Sequence, residues 1–205
     1  NFDDIDEEEA DKSAYFIQQG IIYPTVKNDE SMFLMPKVVQ KIIKDKNDID
    51  YRRILKGNTE LINIYRGMNK AYGILKVEDA VKMLERFNEN TDVSLLELLR
   101  EASYYYNEFR EENSYFINNE IDNYEEVLND IKKEDIKEYA VISKEELLSM
   151  NEENWVYNSK AGKSFYKEFT SMFSVDKDMT IAMMDDLALD VQELEPSEAV
   201  DKMIE

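Results

Sequence analysis

The 205-residue chain holds 46 acidic against 25 basic residues, a formal net charge of −21, and neither histidine nor cysteine. That balance opposes nucleic-acid binding, which depends on Lys and Arg neutralising phosphates. The two missing residue types exclude a disulfide framework, a thiolate nucleophile, cysteine-ligated zinc and histidine acid–base chemistry.

Hydrophobic residues make up 43% of the chain, with 13 Tyr, 9 Phe and 1 Trp, enough for a core and too many for a disordered acidic chain. No run of about 18 apolar residues spans a membrane. No basic start with an apolar core reads as a signal peptide. The expected setting is the cytoplasm, in line with the absence of cysteine. The chain starts at Asn1 rather than Met and ends on an amphipathic stretch at 199–205, which reads as a piece of a longer protein.

Residues 1–11 hold seven acids and no base, a solvated start. Ala14, Tyr15, Phe16 and Ile17 then close a helix, with Gly20 placed to cap it. The apolar runs Ile21-Ile22-Tyr23 and Met32-Phe33-Leu34-Met35 flank Asn28-Asp29-Glu30 and predict a hairpin. Pro36 suits the start of a helix carrying Val38, Val39, Ile42 and Ile43. Residues 27–56 hold eight bases and five acids, the one locally basic stretch. A loop is expected at 47–50 and a helix boundary at Gly57-Asn58-Thr59.

Leu61, Ile64, Tyr65, Met68, Tyr72 and Leu75 recur at three and four, as one face of a helix does, with Gly73 near its end. Val77, Ala80, Val81, Leu84 and Phe87 form a second stripe. Ser94 with Glu97 matches a capping box that opens a third helix through Leu95, Leu98, Leu99, Ala102, Tyr105, Tyr106 and Phe109. Phe109-Arg110 and Tyr115-Phe116-Ile117, around Glu111-Glu112-Asn113, predict a second hairpin. Further helices are expected on Tyr124 to Ile131, after the capping box Ser143–Glu146, on Phe165 to Phe173, and on the stripe Ile181, Met184, Leu187, Val191 and Leu194. Pro196-Ser197 interrupts that last stripe. Tyr139-Ala140-Val141-Ile142 reads as a short strand. The fold class expected is mainly α with short β-hairpins (a minor α+β element), built of winged-helix-like helical units. The expected organisation is a helix–hairpin–helix segment at 1–57, a three-helix unit with hairpin at 58–135, and an acidic helical region at 136–205, or one continuous domain.

No motif carries chemistry through. Gly162-Lys163-Ser164 has the end of a phosphate loop, but Tyr157 stands where the loop needs its first glycine, and no apolar strand precedes it. Asp176 and Asp178 begin like a calcium loop, yet Ile181 replaces its glycine and Leu187 its bidentate acid. Asp185 and Asp186 project about 100° apart on a helix and do not converge on a metal. A two-carboxylate hydrolase needs a defined pair, and 46 acids select none. The expectation is a protein that is not an enzyme and takes no cofactor.

Residues 61–75, with Tyr72-Gly73-Ile74-Leu75, and the acidic tail at 179–205 resemble a group of poorly characterised bacterial proteins from low-GC Gram-positives. That resemblance implies winged-helix-like helical regions and, C-terminally, the cysteine-rich zinc-binding motif found at the end of the SecA translocase (SEC-C). The cysteine cluster is absent here, so no zinc role passes to any residue.

Three functions are open to such a chain. The leading one is a non-enzymatic protein-interaction or regulatory module with a protein partner. Its candidate interface is Tyr104, Tyr105, Ile181, Met184, Leu187 and Val191, aromatic and methionine-rich positions that either fill the core or anchor a partner. The second is a winged-helix DNA-binding regulator using a small basic face of Lys37, Lys41, Lys44, Arg52 and Arg53, with Lys46 beside them. Its reading helix holds only Arg100 against Glu97, Glu101 and Glu108, so direct duplex binding is not expected. The third is an acidic nucleic-acid mimic that occupies the basic groove of a DNA-binding protein. No membrane contact is expected, and the oligomeric state is open.

Overall fold

A computed structural model describes residues 7–88, 93–133 and 138–204 as mainly α-helical, with two small antiparallel sheets. The expected acidic start at 1–6 and domain boundary at 135–136 lie outside the described residues.

The centre of the core is α3 (Ile49–Tyr72), which Asp48 caps by accepting the Tyr51 amide at 2.8 Å. It stops at Gly73, whose φ of +66° turns the chain at little steric cost. The chain then runs through β3 (Ile74–Lys76), α4 (Val77–Glu85) and α5 (Leu95–Tyr106). It closes on β4 (Phe109–Glu112) and β5 (Tyr115–Asn118), which pair with β3 in the order β3-β5-β4. Leu75 faces Phe116 across one ladder, and Phe109 faces Asn118 across the other. Asn113 and Ser114, both at positive φ, make the two-residue turn that matches strand twist. Phe109 and Phe116 enclose Tyr65 edge-on, with centroids 4.8 and 5.6 Å away. All three are buried, and burying each stabilises the fold by roughly 1.5–3 kcal/mol.

The C-terminal part joins this core. The helix α7 (Lys144–Ser149), closed by the complete Ser143–Glu146 capping box, buries Leu147 against α3. Only glycine fits at Gly67, because a Cβ there would lie 2.0 Å from the Leu147 carbonyl oxygen. A second apolar cluster sits under α6 (Tyr124–Lys133), where Leu128 meets Ile74, Ile117 and Ile121. There follow α8 (Trp155–Asn158), α9 (Lys160–Met172), α10 (Lys177–Asp190) and α11 (Pro196–Ile204). Just past α10, the Gln192 side chain donates to the Lys70 carbonyl at 2.7 Å, and Glu193 accepts from the Asp122 amide at 2.9 Å.

The N-terminal part is different. It holds α1 (Glu7–Gln18), β1 (Tyr23–Lys27), β2 (Glu30–Leu34) and α2 (Lys37–Lys46). The strands form a sheet of two, closed by Asn28 and Asp29 at positive φ. No residue from 9 to 60 is buried.

Four expectations require correction. The third helix does not reach Phe109: it ends at Tyr106, Asn107 turns the chain at φ +53°, and Phe109 opens β4. No boundary falls at Gly57-Asn58-Thr59, since α3 runs through it and its apolar stripe outweighs one helical glycine. Residues 139–142 are not a strand. Ala140 instead accepts the Tyr72 hydroxyl at 2.6 Å while Tyr139 packs on the Tyr72 ring. At Ser94 the structure gives the hydroxyl accepting the Glu97 amide at 3.5 Å, one weak half of a capping box.

Candidate protein-interaction surfaces

The arm of residues 23–56 carries an apolar surface that no other described residue buries. On α2, Val38 and Ile42 form one row and Val39 and Ile43 the next, while Lys37, Lys41 and Lys44 take the opposite side. No residue of α2 is buried; Val38 is 64% exposed and Ile42 55%. The first turns of α3 continue the theme, with Ile49 83% exposed and Tyr51, Ile54 and Leu55 also in water. Tyr51, Ile54 and Leu55 lie on the same helix face as Leu61, Ile62 and Tyr65, with polar Asn58 between the two groups. The expected basic face falls on this arm. Lys37, Lys41 and Lys44 share the exposed side of α2. Arg52 and Arg53 sit one element later, Arg52 donating to Asn47 at 2.8 Å and Arg53 lying 4.0 Å from Asp50.

The C-terminal stripe divides. Ile181 and Met184 are buried, Leu187 is half-buried, and Val191 is 45% exposed. Tyr104 and Tyr105 also part company. Tyr104 is 69% exposed, whereas Tyr105 packs edge-on against Tyr15 and Phe16 of α1 at 5.5 and 5.8 Å. The sequence signal missed for the arm is the apolar group Tyr51, Ile54 and Leu55, six to ten residues before Leu61 on the same helix face.

Against α5 lies α1. The Tyr15 hydroxyl donates to Glu101 at 2.8 Å, and Asn107 donates to Asp11 at 3.2 Å. Burial, then the bond and charge of Glu101, push the Tyr15 hydroxyl up to about 12. Arg100, the one base of α5, makes a two-pronged pair with Glu111 at 2.6 and 2.8 Å. That bond holds the Glu111 carboxyl below the usual range.

A groove of about 880 Å³ runs beside α6 and is lined by Tyr72, Tyr115, Tyr139, Trp155, Ile131 and Val191. Its rim mixes Lys70, Lys76 and Lys132 with Asp79 and Glu138, so it favours neither sign of charge. A smaller cavity of about 390 Å³ lies between α10, α11 and the connection after β5. Its rim is strongly acidic, and Asp185 nearby is held above the usual carboxylate range by burial and by its neighbour Asp186, with Lys70 pulling the other way.

Gly162-Lys163-Ser164 forms no phosphate loop. It lies in the first turns of α9, where the Gly162 amide is taken by the Ser159 hydroxyl at 2.8 Å. A Cβ at Gly162 would lie 1.9 Å from the Val156 carbonyl oxygen, so close packing of α8 on α9 accounts for the glycine. Among the described residues no cluster of three or more Asp or Glu could hold a metal ion, and no helix is long and apolar enough to cross a membrane. The chain matches no protein-family model, no curated protein and no solved structure.

Proposed function

We propose that this chain is a non-enzymatic protein-interaction module and that its N-terminal arm engages the partner. The observation that carries this is the stripe of α3, buried from Leu61 onward and bare at Tyr51, Ile54 and Leu55. A helix with an apolar stripe gains stability only by burying it, and contiguous apolar surface of this kind marks an interaction site. The body, from α3 to β5, is read as winged-helix-like from its helix–strand–helix–helix–hairpin order. Its use as a DNA reader is disfavoured. The helix that would enter a groove has its one base paired to Glu111 and a flank covered by acidic α1.

The test is site-specific photo-crosslinking from position 43 of the full chain in living cells, with position 141 as an exposed control. A discrete protein adduct from position 43 is expected, lost in the variant Val38→Ser plus Ile54→Ser while the melting temperature stays within about 2 °C. Adducts only to nucleic acid, or none, would overturn the proposal.

A further inference from the structure

We infer that the arm's partner is a second copy of this chain, with the basic side of one arm seated on the acidic α10–α11 face of the other copy. The inference rests on reading the arm as a docking element.

Charge selects the occupant. Residues 27–56 carry +3 of the chain's −21, which leaves −24 on the rest. Two arms facing each other therefore repel, whereas arm and body attract. The acceptor has the matching chemistry. Met183 and Leu187 of α10 and Met203 of α11 line the 390 Å³ cavity. Around them stand Glu120, Asp122 and Asp186, joined by Asp190 and Glu193. The one lysine there, Lys202, is already held by Asp190 at 2.6 Å. Acids in that number around a methionine- and leucine-lined hollow fit a helix that is aliphatic on one side and lysine-rich on the other. That describes α2, with Val38 and Ile42 beside Lys41. Methionine side chains adapt to such an aliphatic guest.

The alternatives fit less well. Phosphate of a nucleic acid would pair the lysines and leave Val38, Ile42, Ile43 and Ile54 in water. An anionic membrane would take the basic amphipathic helix, but it would leave the acidic hollow beside Met183 and Met203 without a basic guest. Because arm and acceptor lie on one chain, two copies can exchange arms and close a twofold assembly, with each contact made twice.

The experiment is sedimentation velocity and light scattering on the full chain across a concentration series. A species of twice 24.2 kDa is expected, weakening as salt rises. Lys41→Glu plus Lys44→Glu should weaken association by about tenfold or more, and so should Glu120→Lys plus Asp186→Lys, since the first turns the arm acidic and the second cancels the acidic charge of the hollow. All four residues are exposed, so circular dichroism melts should stay near wild type. Mixing the two variants should restore association, because the unaltered arm of one then meets the unaltered acidic face of the other. A wild type that stays monomeric, including one that instead binds duplex DNA or phosphatidylserine vesicles, overturns the inference. So does a charge-reversed arm that still dimerises, or a mixture that stays monomeric. If position 43 crosslinks to a protein of another mass, the second copy fails while the docking arm stands. If it crosslinks to no protein, both fail.

Discussion

The two halves of α3 carry apolar residues on one face, parted by the polar run from Lys56 to Glu60, and meet different surroundings. From Leu61 to Met68 that face lies in the core shared with α4, α5, α7 and the three-stranded sheet. At Tyr51, Ile54 and Leu55 the same face stands in water, next to an equally bare α2. Periodicity therefore specifies that a helix forms and which side is apolar, but not what covers that side. The inner half draws its stability from this chain. The outer half holds unused burial energy, roughly 1.5–3 kcal/mol for each large side chain a partner could enclose.

The largest test of this contrast pairs one core truncation with one on the arm. Phe116→Ala empties a fully buried position that touches Tyr65 and Phe109, and should cost about 3–5 kcal/mol. Ile54→Ser on the monomer should fall within about 0.5 kcal/mol of wild type. Urea melts at low protein concentration measure both. An arm substitution that costs several kcal/mol would mean the arm is core.

Two glycines of the same helix sharpen the contrast. Gly67→Ala drives a methyl into the Leu147 backbone, which cannot rotate away, and should destabilise by about 1–3 kcal/mol. Gly57→Ala, on the outer half of the helix, should instead stabilise by about 0.5–1 kcal/mol through helix propensity. Opposite signs from one substitution within one helix are the expected result. A smaller change probes the core itself. The Tyr65 hydroxyl is buried with no hydrogen-bond partner, and burial holds it well above the usual tyrosine range. Removing an unsatisfied buried group relieves its desolvation cost. Tyr65→Phe should therefore be neutral or stabilising, by up to about 1 kcal/mol, in thermal melts.

How far the sequence predicts this molecule follows from the same distinction. The stripes through Leu61, Leu84, Leu99 and Leu128 and both hairpins were legible, because local spacing and turn residues determine them. The strand expected at 139–142 failed because pairing depends on a distant edge that local pattern does not supply. The boundary expected at Gly57 failed because a single glycine was weighed against no neighbour. For the candidate site, the lysines of α2 were legible as the one basic stretch, but as a face for phosphate. That Val38, Ile42 and Ile54 stand exposed near them depends on tertiary packing, which local pattern does not supply. The C-terminal stripe was legible as a helix face, while its division into buried Met184 and exposed Val191 depends on where α10 lands.

The smallest expected effect concerns charge, in which the two regions also differ. Asp185 lies half-buried on the acidic body, its carboxyl held above the ordinary aspartate range by burial first and by Asp186 second. A carboxyl with a raised folded-state value favours the protonated form, so its stabilising contribution is complete below the ordinary aspartate range. That contribution is lost as pH rises through the raised value. At neutral pH the charged group thus weighs against the fold. Asp185→Asn should raise stability there by a few tenths of a kcal/mol, within the usual range for a site near the surface. The gain should vanish at a pH below the ordinary aspartate range. Glu111 and Glu146 are held low by their partners Arg100 and Ser143 and act in the opposite sense, losing stability as pH falls. The wild-type profile alone mixes both trends. The difference between variant and wild type isolates Asp185, and it should shrink steadily on acidification. A gain at position 185 that does not change with pH would mean that repulsion and burial of its charge are not what the asparagine relieves.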